Sequence, residues 1–256
     1  MSNPKGKTNL ERYKETLEKL ESERSKYGAI ENKETKTALK SHAKIIELKD
    51  LAAEQKKVKN VVILSSTCKT WVKEQAKEFF YGYKSEIKSK YFDKGHKNEQ
   101  AAIDQLNYRD GTDYVKNEQR KTNSWLTGEC DIDDKGNKTI IDIKNAWSIE
   151  TFPSLVSDVD EKAKESGYVD QQKGYLILWK YKRAFVAYCF TETPENLLNS
   201  FDNKEIHRHN LKLNVRKYIT MSNEIVLEDG YEAEAKRRHK YAQIYYNEVL
   251  TELRAK

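Results

Sequence analysis

Hydrophobic positions recur along this chain with two different periods, and the change of period outlines the fold. Leu10, Tyr13, Leu17, Leu20 and Tyr27 recur at intervals of 3, 4, 3 and 7, a heptad-like stripe interrupted by Arg24. That spacing keeps one helical face apolar and predicts an amphipathic helix up to Gly28. Ile45, Leu48 and Ala52 predict a second helix. Trp71, Val72, Ala76 and Phe79 predict a third, with Ser65, Ser66 and Thr67 in front as capping residues. Ala101, Ala102, Ile103 and Leu106 mark a helix over Glu99–Leu106. The period then shortens to two. Between Ser124 and Trp147, two β-prone runs flank Asp134-Lys135-Gly136-Asn137-Lys138, a hairpin signal. A helix opening at Tyr168 continues as Leu176-Ile177-Leu178-Trp179, followed by an apolar strand Arg183–Phe190 and a closing amphipathic helix Glu232–Leu253. Helix, strands, helix and strand in this order make an α/β unit with a mixed sheet.

Composition narrows the class. The 256 residues hold 47 Lys and Arg against 41 Asp and Glu, and 34% are charged. Average soluble domains carry roughly 25%. The longest apolar runs, Val61–Leu64 and Tyr175–Trp179, fall far short of the ~20 residues that cross a bilayer. The N-terminal Met-Ser-Asn-Pro-Lys-Gly has no apolar segment behind it, so no secretory signal is expected. Cys68, Cys130 and Cys189 are far apart and form no Cys-x-x-Cys pair, which reads as reduced thiols in a cytoplasmic protein. The expected domains are a charged helical extension over residues 1–60 and an α/β domain over 61–256.

The net charge of +6 is unevenly spread. Residues 1–60 hold 15 Lys and Arg against 10 Asp and Glu, which places +5 of it there. Farther on, Lys84, Lys88, Lys90, Lys94 and Lys97 are interleaved with Tyr81, Tyr83, Tyr91 and Phe92. Lysines neutralise phosphates and aromatic rings stack on bases, so these five lysines are candidate DNA contacts. A solvated lysine-rich helix whose aromatics turn inward fits the same residues.

The hairpin carries the chemistry. Side chains alternate faces along a strand, so Ile141 and Ile143 point one way while Asp142 and Lys144 point the other. On the preceding run Glu129 and Asp131 share a face, opposite Cys130 and Ile132. Carboxylates in mid-strand are expensive to bury unless they pair or bind metal. Carboxylate and backbone oxygens suit Mg²⁺, and a lysine beside them can steady a phosphate or a water. The alternative is a surface Asp–Lys pair. Gln171 and Tyr175, four apart, share a helical face.

In order along the chain stand Gly95-x-x-x-Glu99, Gly128-x-x-Asp131, Asp142-x-Lys144 and Gln171-x-x-x-Tyr175. This series resembles the PD-(D/E)xK nuclease superfamily over about residues 61–200. The likeness is to the branch of the phage lambda exonuclease, viral recombination exonucleases and RecB-type nuclease domains. The resemblance implies a restriction-endonuclease-like core with a central mixed sheet flanked by helices. It implies that Asp131, Asp142 and the Ile143 carbonyl ligate Mg²⁺ or Mn²⁺, with Glu99 holding that metal or a second one. Lys144 would position the attacking water, and Gln171 and Tyr175 would support the scissile strand. The chain departs from the usual pattern in having Asp142 where Glu is common. The implied function is a DNA exonuclease acting on free duplex ends in phage-type recombination, in a bacterial or phage-infected cell. A homotrimer and a single-strand annealing protein partner are further implications. Two other readings stay open: a structure-specific or flap endonuclease with the same site, and a non-catalytic DNA-binding or assembly protein. His96, Glu129 and the His207-Arg208-His209 run read as bystanders or rim residues.

Overall fold

The computed structural model describes residues 9–58, 64–86 and 89–255. Its elements are α1 (Asn9–Gly28), α2 (Lys36–Val58), α3 (Ser66–Tyr81), α4 (Lys90–Asp110), β1 (Lys121–Thr122), β2 (Thr127–Gly128), β3 (Ile132–Asp134), β4 (Thr139–Asn145), α5 (Val156–Glu165), α6 (Tyr168–Trp179), β5 (Arg183–Cys189), β6 (Ile219–Met221) and α7 (Tyr231–Arg254). They fall into two compact units, Gly82–Lys236 and a helical unit that holds α1 to α3 with the chain from Arg237 onward. The composition changes near residue 60, but the units divide after Tyr81, where Gly82 takes a φ of +67°. Among the described residues no helix is long and apolar enough to cross a membrane.

In the helical unit, α1 and α2 pack through buried Leu20, Ile45 and Leu48, with Tyr27 against them. Leu10 and Leu17, which share the sequence stripe, remain on the surface. The turn between the helices is fixed locally: Ala38 N donates to Thr35 Oγ1 at 3.2 Å, and Ser41 Oγ donates to Glu23 Oε1 at 2.8 Å. Cys68 N donates to Ser65 Oγ at 3.1 Å, so Ser65 caps α3 as its position suggests.

The other unit is built on a four-stranded sheet in the order β3-β4-β5-β6. β3 and β4 form the expected hairpin, β4 and β5 run parallel, and β6 is antiparallel to β5. A parallel pair needs a crossover, and α5 and α6 supply it. Both faces are covered. Ile140 and Val186 pack on Val159, Leu176 and Trp179 of the crossover helices. Ile141, Ile143 and Ala187 pack on Ala102, Ile103 and Leu106 of α4. The alternation read for β4 therefore holds, yet the Asp142 face is enclosed by helices rather than open to solvent.

Before β3 the strand pattern breaks. The chain bends at Asp131, and β2 pairs with β1 instead of continuing into β3. Cys130 consequently joins the core with Ile140, while Ile132 joins Ile141 and Ile143 on the opposite side. This corrects the shared face expected for Cys130 and Ile132. A bend resets the period-two alternation, and it also frees the Asp131 carboxylate to turn toward β4.

Candidate active site

Asp142 lies at the centre of β4 and is only 2% exposed. The bend brings Asp131 beside it, where Ile143 N donates to Asp131 Oδ2 at 2.6 Å. Two residues along β4, Lys144 returns to the Asp142 face. Its Nζ lies 2.5 Å from Asp142 Oδ2 and 4.5 Å from the centre of the Tyr168 ring. Helix α6 supplies the remaining polar groups: Gln171 Nε2 donates to Tyr175 Oη at 3.0 Å. Tyr175 itself is buried. Asp131, Asp142, Lys144, Gln171 and Tyr175 thus lie along one bend, one strand and one facing helix.

Burial sets the electrostatics. It raises the Asp131 carboxyl well above the usual carboxylate range, and the neighbouring Asp142 charge adds to the rise. For Lys144, burial favours the neutral amine, but Asp142 and Asp131 outweigh it and keep the ammonium charged beyond the ordinary lysine range. The Tyr175 phenol is held neutral, first by burial and then by both aspartates. Asp142 Oδ2, although ion-paired to Lys144, accepts no aligned hydrogen bond among the described residues, and neither does Gln171 Oε1. Two crowded, buried carboxylates, one of them held against Lys144, form an oxygen donor set that fits a hard divalent cation.

The Asp131 shift has a measurable consequence. From about pH 3.9 upward, the unfolded chain releases a proton that the folded carboxyl keeps, so metal-free stability should fall until the raised folded value is passed. The melting temperature without divalent ions is expected to drop across that window, and Mg²⁺ to restore it most at the alkaline end. Asp131→Asn should flatten the drop. An unchanged profile in that variant would remove Asp131 as its source.

Glu99 stands apart from the pair. It lies on α4 close enough for its charge to act on Asp131, yet its Oε2 is held at 2.8 Å by Lys116 Nζ. Among the described residues, no three His, Cys, Asp or Glu side chains form a preformed metal-holding group. Glu129 pairs with Arg120 at 3.0 Å.

The lysines divide sharply. Lys84 and Lys97 are exposed, and Lys90 sits over the Trp147 ring at 4.6 Å with Asp202 3.8 Å away. Lys88 lies outside the described residues. Lys94 corrects the expectation for this stretch: it is 1% exposed and cannot reach DNA. Its ammonium donates to Ala146 O at 2.6 Å, Thr191 O at 2.8 Å and Trp147 O at 3.1 Å, tying α4 to the ends of β4 and β5. Burial pushes Lys94 down to about 7, while three carbonyl acceptors match the three N–H bonds of its charged form. Lys94 precedes Asn98, Ala102 and Leu106 at intervals of four, which places it on the buried stripe of α4, and that spacing is the one sequence signal of this.

The histidines are structural partners. His207 Nδ1 lies 3.0 Å from Trp147 O and 3.2 Å from Thr193 Oγ1, and the His209 ring stacks on Tyr218. His96 is exposed, its ring edge-on to Phe92. Sequence reasoning passed over Tyr168 and Lys116, neither of which belongs to a recognisable spacing.

Gly128 owes its place to Tyr175. A Cβ at this position would lie 2.7 Å from Tyr175 Cε1 and 3.2 Å from Leu178 Cδ1. Gly128→Ala should displace the Tyr175 ring, lowering catalytic turnover by about tenfold to a hundredfold. Gly136→Ala, whose nearest contact would be an ordinary 3.5 Å, serves as the comparison for the same turnover assay.

A mixed sheet with helices on both faces, and an acid–acid–lysine set at the bend and central strand, define a restriction-endonuclease-like nuclease core. No protein-family model and no curated protein matches the sequence. Among solved structures, a phage-related exonuclease from Haemophilus somnus 129PT is 31% identical, with a TM-score of 0.71, over 77% of this chain and 89% of that one. An alkaline exonuclease from Laribacter hongkongensis is 12% identical, with a TM-score of 0.49, over 78% of this chain and 89% of that one. The chain belongs to the PD-(D/E)xK nucleases, in the lambda-exonuclease-like group of phage-related exonucleases.

Proposed function

We propose that this protein is a metal-dependent DNA exonuclease that hydrolyses phosphodiester bonds from free duplex ends and serves phage-type recombination. The observation that carries the reading is the buried Asp131–Asp142 pair with Lys144 charged against it. Kinship with the Haemophilus exonuclease supports it.

Asp131, Asp142 and the Ile143 carbonyl would hold Mg²⁺ or Mn²⁺. Bound there, the ion would supply charge neutralisation at the scissile phosphate and acidify a water. Lys144, held against Asp142, would orient the attacking water and donate to developing negative charge. Gln171 donates to Tyr175 Oη, so the neutral phenol keeps its own hydrogen free to donate to a phosphate oxygen. Exposed Lys84 and Lys97 would contact the DNA backbone outside the site. The trimer and annealing-protein partner implied by the resemblance belong to the same proposal.

A linear duplex and a covalently closed circle of the same sequence, each incubated with Mg²⁺ or Mn²⁺, test the reading. Degradation of the linear form alone is expected. Equal cutting of the circle would replace the exonuclease with an endonuclease using the same residues.

A further inference from the structure

The centre contains a second lysine. Lys116 lies on the segment that leads from α4 back to β1, and this segment is fastened at both ends. Asn107 Oδ1 accepts from Tyr114 N at 2.7 Å, and its Nδ2 donates to Tyr114 O at 2.8 Å. Beyond Lys116, Asn117 N donates to Asp131 O at 2.8 Å and Asn117 Nδ2 donates to Cys130 O at 2.8 Å. Lys116 is therefore held beside the Asp131 bend by its own backbone neighbours, not by its charge. Its ammonium reaches Glu99, while Lys144 reaches Asp142, so each lysine neutralises a different carboxylate. Among the described residues Asp131, between them, has no lysine in contact. The Lys116 side chain is 44% exposed against 15% for Glu99, so the lysine forms the outer side of the pair, where a polyanion would arrive.

We propose that Lys116 is a phosphate-contacting residue of this centre, parked on Glu99 in the DNA-free protein and drawn to the substrate backbone when DNA binds. The assignment rests on the nuclease function proposed above. A parked ammonium competes with a divalent cation for the negative field of Glu99 and Asp131, so it weakens metal binding before substrate arrives. Moving to phosphate, it returns Glu99 to the metal's surroundings at the moment the metal is needed. A lysine that merely anchored the segment would do neither, because Asn107 and Asn117 already hold that backbone.

The test compares wild type with Lys116→Met and Lys116→Arg. Mn²⁺ binding without DNA is followed by calorimetry, and duplex binding in EDTA is measured against salt. Lys116→Met should bind Mn²⁺ about tenfold more tightly or better, the effect of removing one nearby charge. Its salt dependence of DNA binding should fall by about one unit, the signature of a lost phosphate contact. Lys116→Arg should stay near wild type in both, and Glu99→Gln/Lys116→Met should lose the gain in Mn²⁺ affinity. Unchanged or weaker Mn²⁺ binding by Lys116→Met, or an unchanged salt slope, overturns the proposal. If that happens while wild type still takes up Mn²⁺ and cuts DNA, the nuclease reading stands without it. A wild type that neither binds Mn²⁺ nor cuts DNA removes both.

Discussion

Asp142→Asn is expected to lower Mg²⁺-dependent cleavage of linear duplex DNA by about a thousandfold or more. The substitution keeps the shape of the side chain and removes the charge that pairs with Lys144 and that, in the proposed function, would hold the metal. A metal-stabilised transition state owes several kcal/mol to such ligands, and about 1.4 kcal/mol is tenfold in rate. Lys144→Met should lose a comparable amount by a different route, since it removes the donor to the developing charge while leaving both carboxylates. The two losses should not add, because each variant disables the same step. Binding of DNA in EDTA separates chemistry from affinity: both variants are expected to bind duplex at close to wild-type strength. Cleavage by Asp142→Asn at the wild-type rate would dissociate the site from the reaction.

The second large effect is on folding. Lys94→Ala should cost about 3–5 kcal/mol of stability, read by urea unfolding. The backbone carbonyls of Ala146 and Thr191 would lose their donor in a buried place, while Trp147 O keeps Thr193 Oγ1, and each unsatisfied polar group costs ~1–3 kcal/mol, partly recovered by relaxation. The truncation also leaves a cavity. Lys94→Met refills the volume but not the hydrogen bonds, so it should recover only part of the loss. Lys97→Ala, three residues on and exposed, should stay within about 0.5 kcal/mol of wild type. Equal effects at positions 94 and 97 would contradict the structural role assigned to Lys94.

These two residues also mark how far the sequence could be read. The mixed sheet, the hairpin and the helix carrying Gln171 and Tyr175 were legible because each has a period that physics ties to one element. The same holds for Asp142 and Lys144, whose spacing of two puts them on one face of β4. The bend at Asp131 was not legible, since alternation predicts a continuous strand until tertiary packing interrupts it. Helix α5 and the edge strand β6 were missed; β6 spans only Ile219–Met221 and is too short to show a period. Lys94 was misread because a lysine's type suggests solvent, and its partners lie 52 and 97 positions away in sequence at Ala146 and Thr191. Lys116 escaped notice for the same reason, its partner Glu99 being 17 residues back across a helix end.

The central claim is that the Asp131–Asp142 pair makes this chain a metal-dependent exonuclease. One measurement tests it most directly: release of nucleotides from end-labelled linear duplex by the full chain, with Mg²⁺ or Mn²⁺ and again with excess EDTA. Progressive release with either metal and none in EDTA is the predicted result. Duplex that is bound but left intact with both metals, or degraded equally in EDTA, would contradict it.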